Sequence, residues 1–598
     1  MARQLERFEN LVSLFLAREA EKGDRPFLWA KREGQWRPTS WAEAARQVAA
    51  LSTSLKRLGL EPGDRIALVS ENRPEWLIAD LAIMAAGCVS VPTYTTNTTR
   101  DHAHILGNSG ARAAIVSSQR LAKNLVPAVM TSSECRHIIG MEEIRAGQVP
   151  DWVSVHSWTE LASGDADLAG LRDRIKWVNR RELACIIYTS GTGGAPRGVQ
   201  LHHGSILQNL EGCTDIISTD FGWGDEVFLS FLPASHAYEH TGGQMFPIAL
   251  GAEIYYAESL EKLAANIEEV QPTIMVVVPR LFELLRARII KGIEASGAFS
   301  KYLLYRALKI GADKYDGRRK PWDLPMDGVL ALTLRRKIRA KLGKRVKAWV
   351  SGGAPLNPEV GVFFQSLGIT FLQGYGQTEA GPLISCNRPR AGIRLETVGP
   401  PSMNTEVRIA EDGEIMVRGE NVMLGYWNNP EETARVLKDG WLATGDVGHI
   451  DDKGRIVITD RKKDLIILDK GDNVAPQRVE GMLTLQSEIA QAMVSGDRRP
   501  YLVGLIVPEA DFMAEWAKAN GKANDYAALR DDPDFHRAIA AAVDRVNREL
   551  SVIEKVRSFI LADAPFTVEN EQLTPSVKIR RHVLRAVYGE RLDGLYRR

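Results

Sequence analysis

The segment from Tyr188 to Val199 concentrates three aliphatic hydroxyl groups, four glycines and one arginine within twelve residues. The apolar run from Leu183 to Ile187 just before it predicts a buried strand. Glycine has no Cβ, so backbone N–H groups can crowd around an oxyanion, and the hydroxyl and guanidinium groups add further donors. This composition favours a loop that grips polyphosphate, although on its own it also fits an ordinary surface loop. The segment matches neither a Walker A loop nor a Gly-x-Gly-x-x-Gly turn.

The chain has 598 residues, which is too long for one hydrophobic core and predicts roughly two to four domains. A net charge of +1 gives no overall attraction to nucleic acid or to membranes. The five cysteines are scattered, mostly within apolar runs, which favours reduced thiols over disulfides or a metal cage. We find no signal peptide and no run of eighteen apolar residues, so we expect a cytoplasmic protein.

Helical and strand patterns alternate through the first half of the chain, with strands predicted at Arg65–Val69 and Ala113–Val116. Such alternation predicts an α/β fold in which helices flank mostly parallel sheets. A charged stretch at Asp460–Asp464 separates this part from a smaller mixed region, which makes a hinge plausible there. We therefore predict a large N-terminal domain at residues 1–461 and a small α+β C-terminal domain at residues 462–598.

A basic helical insert is predicted at about residues 284–347. This segment contains eighteen lysines and arginines but only five acidic residues. Leu330, Leu334, Ile338 and Leu342 recur every fourth residue with basic residues between them, the pattern of an amphipathic helix. Two interpretations remain open. The basic face is either simply solvated on a packed helix, or it attracts an anionic membrane or the phosphates of a ligand.

Four further clusters of small, polar or charged residues follow later in the chain. Ser351–Leu356 comes directly after a predicted strand, and its small residues would let a flat ring approach the backbone. Gly374–Glu379 supplies an aromatic face, a hydroxyl and a carboxylate, and Gly440–Asp446 ends on a carboxylate that suits a ribose diol. Leu573–Lys578 places a lone lysine on a late loop.

In this order, the five clusters resemble the adenylate-forming acyl-CoA synthetase and luciferase superfamily. The resemblance covers nearly the whole chain, and five clusters in order are far more specific than any one of them. The branch most similar is the bacterial long-chain fatty acid–CoA ligases. That similarity rests on Asn72–Trp76, on Val278–Glu283 with the insert that follows, and on Arg499–Leu502.

The resemblance implies ATP, Mg²⁺ and coenzyme A as ligands and assigns a role to each cluster. Thr189, Ser190, Gly191, Thr192 and Arg197 would hold the β- and γ-phosphates of ATP. Gly352, Gly353, Ala354, Tyr375, Gly376 and Thr378 would surround the nucleotide, with Tyr375 stacked on adenine, and Asp446 and Arg461 would take the ribose. Glu379 would bind Mg²⁺, an oxygen-seeking cation. Lys578 would bridge acyl and phosphate oxygens, and Lys463 matches the hinge between the domains.

The implied reaction has two steps, and its substrates are a fatty acid, ATP and coenzyme A, with no nucleic acid involved. The fatty carboxylate attacks the α-phosphate of ATP to give acyl-AMP and pyrophosphate, and coenzyme A then displaces AMP. In the superfamily the C-terminal domain rotates between the two steps, and Gly471–Pro476 resembles the loop presented in the second pose. Two alternatives stay open: an acyl-AMP ligase that delivers to a carrier protein, and a non-catalytic nucleotide-binding relative.

His236 has three interpretations at this point. The pattern His236-Ala-Tyr-Glu-His240 matches one class of zinc peptidase, but the lead-in Leu232–Ser235 suggests a strand end and a loop rather than the helix such a site needs. Without zinc, His236 is either a pocket-floor residue near the substrate carboxylate or a core histidine with its hydrogen bonds satisfied. We count it among the catalytic candidates with Lys578 and Glu379.

The phosphate loop departs from the superfamily pattern at two positions. Gly193 stands where a second hydroxyl residue is usual, and Arg197 stands where a lysine is usual. Arginine keeps the charge but replaces a mobile point charge with a planar fork. We therefore expect weaker ATP binding than is typical of the superfamily, without loss of activity.

Overall fold

The structure is a computed structural model that describes residues 3–145, 147, 149–189, 195–574 and 578–597. Within these ranges the chain forms several sheets flanked by helices, followed by a smaller mixed unit. The α/β fold with helix-flanked, mostly parallel sheets is confirmed. The structure adds an antiparallel sheet late in the large N-terminal part, which the sequence patterns did not predict.

The strands, numbered in chain order, are β1 (Pro26–Arg32), β2 (Gln35–Ser40), β3 (Arg65–Val69), β4 (Val89–Thr93), β5 (Ala113–Val116), β6 (His137–Gly140), β7 (Ser154–Ser157), β8 (Leu183–Thr189), β9 (Arg197–His202), β10 (Val227–Ser230), β11 (Glu253–Tyr256), β12 (Ile274–Val277), β13 (Ala348–Ser351), β14 (Phe371–Gly376), β15 (Leu383–Cys386), β16 (Glu406–Ile409), β17 (Glu414–Arg418), β18 (Gly425–Tyr426), β19 (Leu437–Lys438), β20 (Trp441–Ile450), β21 (Ile456–Arg461), β22 (Ile466–Ile467), β23 (Asn473–Val474), β24 (Ile489–Ser495), β25 (Leu502–Pro508) and β26 (Val556–Leu561).

The helices are α1 (Leu11–Lys22), α2 (Trp41–Arg57), α3 (Pro74–Ala85), α4 (Thr99–Ser109), α5 (Gln119–Met130), α6 (Trp158–Ala162), α7 (Leu168–Ile175), α8 (His203–Asp220), α9 (Ala237–Glu239), α10 (Phe246–Leu250), α11 (Leu263–Val270), α12 (Pro279–Ala295), α13 (Ala298–Tyr315), α14 (Leu324–Leu330), α15 (Arg336–Leu342), α16 (Pro358–Ser366), α17 (Pro430–Val436), α18 (Pro476–Thr484), α19 (Ala510–Ala519), α20 (Tyr526–Arg530), α21 (Pro533–Asn547) and α22 (Arg581–Gly594). Two π-helical turns, His240–Met245 and Ala331–Arg335, each join two of these helices.

Two large sheets form the body of the N-terminal part. One has the strand order β15-β14-β13-β12-β10-β11-β1-β2, and the other has the order β18-β9-β8-β4-β3-β5-β6-β7. Strands β10, β12, β13 and β14 run parallel, so their carboxyl ends meet at one edge of the first sheet. Ligands bind at this edge in open α/β sheets. The segments that leave these strands carry His236, Gly352 and Glu379, three of the candidate site residues.

Local sequence explains where the flanking helices begin and which face they bury. Helix α2 starts after Ser40, whose hydroxyl accepts a hydrogen bond from the backbone N–H of Glu43 at 3.1 Å. Trp41, Val48 and Leu55 on one side of α2 are fully buried in the main hydrophobic core. This one-sided burial is the physical result of the helical spacing of the apolar residues.

The basic insert consists of helices packed on the first sheet. Leu330, Leu334, Ile338 and Leu342 are all buried along the continuous run of α14, the π turn and α15. They join the core that covers Trp349 on β13. The predicted amphipathic helix is therefore confirmed, and its apolar stripe faces the protein.

The C-terminal part, beginning after β21, has its own sheet and its own hydrophobic clusters. Strands β24, β25 and β26 form this sheet, with α18, α21 and α22 packed against it. Contacts with the N-terminal part include Leu485, which packs on the insert core, and an ion pair between Lys291 and Glu515 at 3.7 Å. Among the described residues, no helix combines the length and the hydropathy needed to span a bilayer.

Candidate active site

The phosphate-loop residues that the structure describes sit at the mouth of the β8–β9 hairpin. Thr189 and Arg197 are directly opposite each other in the antiparallel register. The candidates Ser190, Gly191 and Thr192, together with Gly193 and Gly194, lie outside the described residues. The predicted strand before the loop is confirmed as β8, whose central residues are buried.

Arg197 is held by groups that come from a distant part of the chain. Its guanidinium forms an ion pair with Glu432 on α17 and lies over the ring of Tyr426, with 4.7 Å between the guanidinium carbon and the ring centroid. Arg435 bonds to the same carboxylate, and the cations around Glu432 lower the pKa of its carboxyl. A phosphate that bound Arg197 would have to share it with Glu432.

Glu379 lies in a short 3₁₀ turn after β14, within reach of the same cluster. Its Oε1 accepts a hydrogen bond from the hydroxyl of Tyr426 at 2.8 Å, and its carboxylate is half-buried. Tyr426 therefore connects the candidate magnesium ligand to the phosphate-loop arginine. The neighbouring Thr378 is buried, and a Cβ on Gly376 would come within 1.8 Å of the backbone oxygen of Pro382.

The donor chemistry at Glu379 fits Mg²⁺. In the part of the chain that the structure describes, no group of three His, Cys, Asp or Glu side chains could hold a metal. Mg²⁺ in nucleotide sites is bound through one or two carboxylates, with substrate phosphates and water completing the shell. Glu379, a half-buried carboxylate near the phosphate-loop arginine, matches that pattern.

Small residues line the end of β13, as predicted. Gly352 is buried against Tyr238, since a Cβ there would meet the tyrosine ring at 2.8 Å. Tyr238 also donates its hydroxyl hydrogen to the backbone oxygen of Val350 at 2.8 Å. Gly353 has a φ of +80°, which a glycine adopts without strain, and both it and Ala354 are exposed.

Tyr375, Asp446 and Arg461 form one hydrogen-bonded group. The Tyr375 hydroxyl donates to Asp446 Oδ2 at 2.6 Å, and Arg461 Nε donates to Oδ1 at 2.9 Å. Asp446 and Arg461 are register partners on the antiparallel strands β20 and β21, which places the two side chains together. Burial raises the pKa of the Tyr375 hydroxyl, and the Asp446 carboxylate raises it further. The phenol therefore remains a donor.

Lys578 reaches this group from the C-terminal part of the chain. Its backbone N–H donates to Thr574 Oγ1 at 3.0 Å, and the residue is exposed. The surrounding protein lowers the pKa of its ammonium, and Arg461 adds to the lowering, whereas Asp446 and Glu379 oppose it. No carboxylate of the described residues lies within 4.0 Å of that ammonium, which leaves it available to a ligand.

His236 lies close enough to Lys578 for the charge of the ammonium to act on its imidazole. Its Nδ1 accepts a hydrogen bond from the backbone N–H of Tyr238 at 3.2 Å, so Nε2 carries the proton of the neutral ring. Burial lowers the pKa of His236 to about 4, and the charge of Lys578 contributes to the same effect. A neutral ring whose Nε2–H donates to none of the described residues fits the pocket-floor interpretation better than the core one.

The other two members of the His236–His240 pattern turn away from His236. The segment after His236 is helical, not a loop as expected, because α9 runs into a π-helical turn. Glu239 accepts hydrogen bonds from Ser230 and Gln244, and His240 pairs with the fully buried Asp80 at 3.0 Å. The three side chains thus have separate partners.

Lys463 follows β21 in the turn that leads to the C-terminal part. Its side chain is exposed, and partial burial together with the like charges of Arg435 and Arg197 lowers the pKa of its ammonium. The hinge candidate therefore lies beside the Arg197–Glu432 pair. Gly471–Pro476 spans β23, which pairs with β22 in a small antiparallel ladder.

Sequence reasoning missed Glu432 and Tyr426. The Gly-Tyr-Trp triplet at 425–427 was the available signal for Tyr426, because a glycine beside two aromatic residues often marks a close packing site. Glu432 gave no signal, since its partner Arg197 is 235 residues away.

Comparison with protein families gives two matches that together span most of the chain. A family model described as "AMP-binding enzyme" matches residues 15–427, and one described as "AMP-binding enzyme C-terminal domain" matches residues 463–598.

Individual proteins match over nearly the full length. The long-chain-fatty-acid–CoA ligase FadD15 of Mycobacterium tuberculosis is 31% identical over 594 residues, which cover 98% of this chain and 97% of the relative. The long-chain-fatty-acid–[acyl-carrier-protein] ligase AEE15 of Arabidopsis thaliana is 29% identical, covering 93% of this chain and 82% of the relative. Among solved structures, the A-PCP didomain of a Segniliparus rugosus carboxylic acid reductase with AMP is similar in fold. Its TM-score is 0.75 at 23% identity, over 99% of this chain and 82% of that one.

Proposed function

The chain belongs to the AMP-binding enzyme family, and we propose on that premise that it is an AMP-forming fatty acid–CoA ligase. The observation that carries the proposal is that the ammonium of Lys578 lies within electrostatic reach of Glu379 and of the Asp446–Arg461 ion pair. These groups come from both parts of the chain. They provide a cation, a metal-binding carboxylate and a carboxylate–guanidinium pair suited to a ribose, which together match the needs of acyl adenylation.

In the first step, a carboxylate oxygen of the fatty acid attacks the α-phosphorus of ATP. The bond from that phosphorus to the bridging oxygen breaks, and pyrophosphate leaves. The acid has a reference pKa of about 4 to 5 and is already ionised at pH 7, so no general base is required. What the site must supply is alignment of the carboxylate and neutralisation of charge at the phosphate.

Different residues of this chain would supply the alignment and the charge neutralisation. The ammonium of Lys578 is a compact charge on a long stem, suited to oxygens of both the carboxylate and the α-phosphate. His236 offers its Nε2–H as a neutral donor to the substrate carboxylate. Asp446, Arg461 and Tyr375 hold the nucleoside, while Arg197 and Thr189 hold the phosphates. Glu379 would bind Mg²⁺, which when present neutralises phosphate charge.

In the second step, the thiolate of coenzyme A attacks the acyl carbonyl carbon, and AMP leaves with the electron pair of the broken C–O bond. The names of the two relatives above indicate different acceptors, coenzyme A for one and an acyl-carrier protein for the other. We favour coenzyme A and a long-chain acid because the relative of higher identity, which is also covered almost completely, is a long-chain-fatty-acid–CoA ligase.

The test supplies the purified protein with ATP, Mg²⁺, coenzyme A and fatty acids from short to very long. We expect AMP release and acyl-CoA formation, with the highest kcat/KM for long-chain acids. Accumulation of acyl-AMP with coenzyme A unconsumed would favour the carrier-protein alternative. Lys578→Ala is expected to lower acyl-AMP formation by at least about 100-fold, a loss typical of removing a charge-stabilising group. An unchanged rate in that variant would contradict the role of Lys578.

A further inference from the structure

One asparagine side chain connects the two large sheets of the N-terminal part close to His236. Asn72 follows β3, and its side-chain amide contacts the segment that leaves β10 in the other sheet. Asn72 Nδ2 donates to the backbone oxygen of Leu232 at 2.6 Å, and Asn72 Oδ1 accepts from the backbone N–H of Ala234 at 3.0 Å. Because these bonds join residues 160 and 162 positions apart in the chain, they hold one sheet to the other.

The same amide also joins a buried polar network. Asn72 Nδ2 donates to the hydroxyl of Ser230 at 2.8 Å. That hydroxyl donates to Glu239 Oε1 at 2.6 Å and accepts from Gln244 Nε2 at 2.9 Å. Ser230, Glu239 and Gln244 are all buried, and buried networks whose members are hydrogen-bonded make a structure rigid. We therefore expect the segment that Asn72 contacts to keep one conformation.

The partners of Asn72 require an amide at this position. The backbone oxygen of Leu232 can only accept a hydrogen bond, and the backbone N–H of Ala234 can only donate one. Asparagine carries both a donor and an acceptor on one short planar group. Aspartate has nearly the same shape but no donor, so it would set a carboxylate oxygen against the oxygen of Leu232. Asn72→Asp therefore changes the hydrogen bonding with little change in volume.

The segment that Asn72 holds leads directly to His236. Ala234 lies two residues before His236 and is buried. The backbone N–H of His236 donates to the backbone oxygen of Pro233 at 2.9 Å. Pro233 stands between the two residues that Asn72 binds through their backbone, so this turn carries the constraint from Asn72 to His236. A shift of the turn would move the imidazole with it.

The helix that begins just after Asn72 holds the other side of His236. Helix α3 carries Trp76 and Asp80, which are both fully buried. Asp80 pairs with His240 at 3.0 Å, and the ring of Trp76 lies edge-on to that of His240 with 5.8 Å between the centroids. The chain is therefore anchored both before and after His236 by one short stretch of sequence.

We propose that Asn72 is a positioning residue that sets the place from which His236 donates its Nε2–H to the substrate carboxylate. Tyr94, which follows the neighbouring strand β4, lies against the imidazole, with 6.5 Å between the ring centroids. Both constraints come from the sheet that contains β3 and β4, whereas His236 follows β10 of the other sheet. Alignment of the reacting groups matters strongly, since a displacement of about 1 Å can cost about 100-fold in rate. The inference rests on the proposed function, which gives His236 its contact with the substrate.

The rate of acyl-AMP formation in Asn72→Asp tests this role. We expect kcat/KM for palmitate to fall about 10- to 100-fold, because the imidazole is displaced from the carboxylate. The KM for ATP should stay unchanged, since none of the described hydrogen bonds of Asn72 involves a residue assigned to the nucleotide. Asn72→Ala removes the same bonds without adding a charge and should act in the same direction. Equal kcat/KM for palmitate in Asn72→Asp and the wild type would overturn the proposal.

Asn547 is the matched control because its amide makes the same pair of backbone hydrogen bonds in the C-terminal part. Its Nδ2 donates to the backbone oxygen of Val556 at 2.8 Å, and its Oδ1 accepts from the N–H of the same residue at 2.9 Å. Asn547→Asp should lower the midpoint of thermal unfolding, as Asn72→Asp does, but leave kcat/KM for palmitate unchanged. A fall in kcat/KM of the same size in both variants would assign the loss to general destabilisation and overturn the proposal.

A double-mutant cycle shows whether Asn72 acts through His236. Asn72→Asp should lower the rate much less in a His236→Ala background than in the wild type, because the two changes remove the same contact with the substrate. Additive losses would contradict the proposal. Calorimetric binding of AMP, expected to be equal in all variants, shows that the nucleotide site of each variant is folded.

One readout does not depend on activity and separates this inference from the proposed function. In protein that carries isotope-labelled histidine, the imidazole NMR signal of His236 is the one lost in His236→Asn. This signal should shift in Asn72→Asp and stay in place in Asn547→Asp. If the wild type were inactive on every fatty acid and this shift were seen, the proposed function would fail and the positioning role would stand. An unchanged signal in Asn72→Asp would overturn the positioning role.

Discussion

At the residue scale, Arg197 shows how a departure from the superfamily pattern is accommodated. The planar guanidinium is paired with Glu432 and stacked on Tyr426, contacts that a lysine ammonium makes less well. Glu432 also carries a negative charge next to the place where the phosphates of ATP would bind. The arginine therefore has two side-chain partners, and part of its charge is already neutralised.

We predict that Glu432→Gln lowers the KM for ATP, because it frees Arg197 and removes a repelling charge. The pair is partly solvent-exposed, which limits its strength to about 1 kcal/mol and the change to about threefold to tenfold. ATP-dependent acyl-AMP formation is the measurement. Arg197→Lys should alter the KM as well, and the double variant R197K/E432Q should show that the two effects are not additive.

The neighbouring Glu431 provides the matched control, because it lies on the same helix with its side chain exposed. Glu431→Gln should leave the KM for ATP unchanged. A KM that is unaltered or higher in Glu432→Gln would mean that the carboxylate helps to position Arg197 rather than competing for it.

At the scale of single elements, the helical run after His236 is shaped by one buried carboxyl group. Glu239 is fully enclosed, and Gly243 makes room for it, since a Cβ there would come within 2.1 Å of Glu239 Oε1. Burial raises the pKa of Glu239 to about 8, from an ordinary value of 4.5, although hydrogen bonds from Ser230 and Gln244 oppose the shift. The carboxyl group is therefore protonated in the folded protein at neutral pH.

This raised pKa makes the stability of the protein depend on pH. Between pH 4.5 and about 8 the folded state keeps a proton that the unfolded chain has lost, so the free energy of unfolding decreases as pH rises through that window. Glu239→Gln keeps the shape without the titration. We predict that the free energy of unfolding of this variant, relative to that of the wild type, increases by about 1 kcal/mol or more from pH 5 to pH 8. The midpoint of urea unfolding at each pH is the measurement.

The exposed Glu411 serves as the comparison, and Glu411→Gln should follow the wild-type pH dependence. If the free energy of unfolding changed with pH in the same way in Glu239→Gln and in the wild type, Glu239 would be ionised in the folded protein, against the prediction.

At the scale of the whole molecule, the arrangement of the two parts brings Lys578 near the residues of the N-terminal part that would bind the nucleotide, Asp446 and Arg461. One of the contacts that hold the C-terminal part there is the exposed ion pair between Lys291 on α12 and Glu515 on α19. Exposed pairs of this kind contribute little free energy. A pose that depends on such pairs is easily exchanged for another, which agrees with the expectation from the superfamily that the unit at residues 462–598 rotates about Lys463.

We predict that locking this pose separates the two half-reactions. The variant K291C/E515C, joined by a cleavable bis-maleimide linker, should keep acyl-AMP formation, trapped as the hydroxamate, and lose at least about tenfold in acyl-CoA formation. Cleaving the linker with a reducing agent should restore the second activity. Either single-cysteine variant, treated in the same way, is the control for modification of the native cysteines, four of which are buried. Equal loss of both half-reactions on locking would argue against rotation.

Much of the fold and the composition of the site could be predicted because their signals are local. A buried strand followed by small or hydroxyl residues was recognisable at β8, β13 and β14, since strand periodicity and turn chemistry act over a few residues. The same holds for the amphipathic helix at Leu330–Leu342. The antiparallel sheet around β20 was not predicted as such, because strand pairing depends on which segments meet and not on the segments alone.

The sequence by itself determined the chemical groups that this protein brings to its site: the phosphate loop, Glu379, Asp446, Arg461 and Lys578. Only the tertiary structure decided their partners. It placed Glu432 on Arg197 and Tyr426 on Glu379, and it buried the apolar stripe of the basic helix. The physical reason is that these contacts join residues far apart in the chain, so they depend on how the elements pack and leave no periodic signal in the sequence.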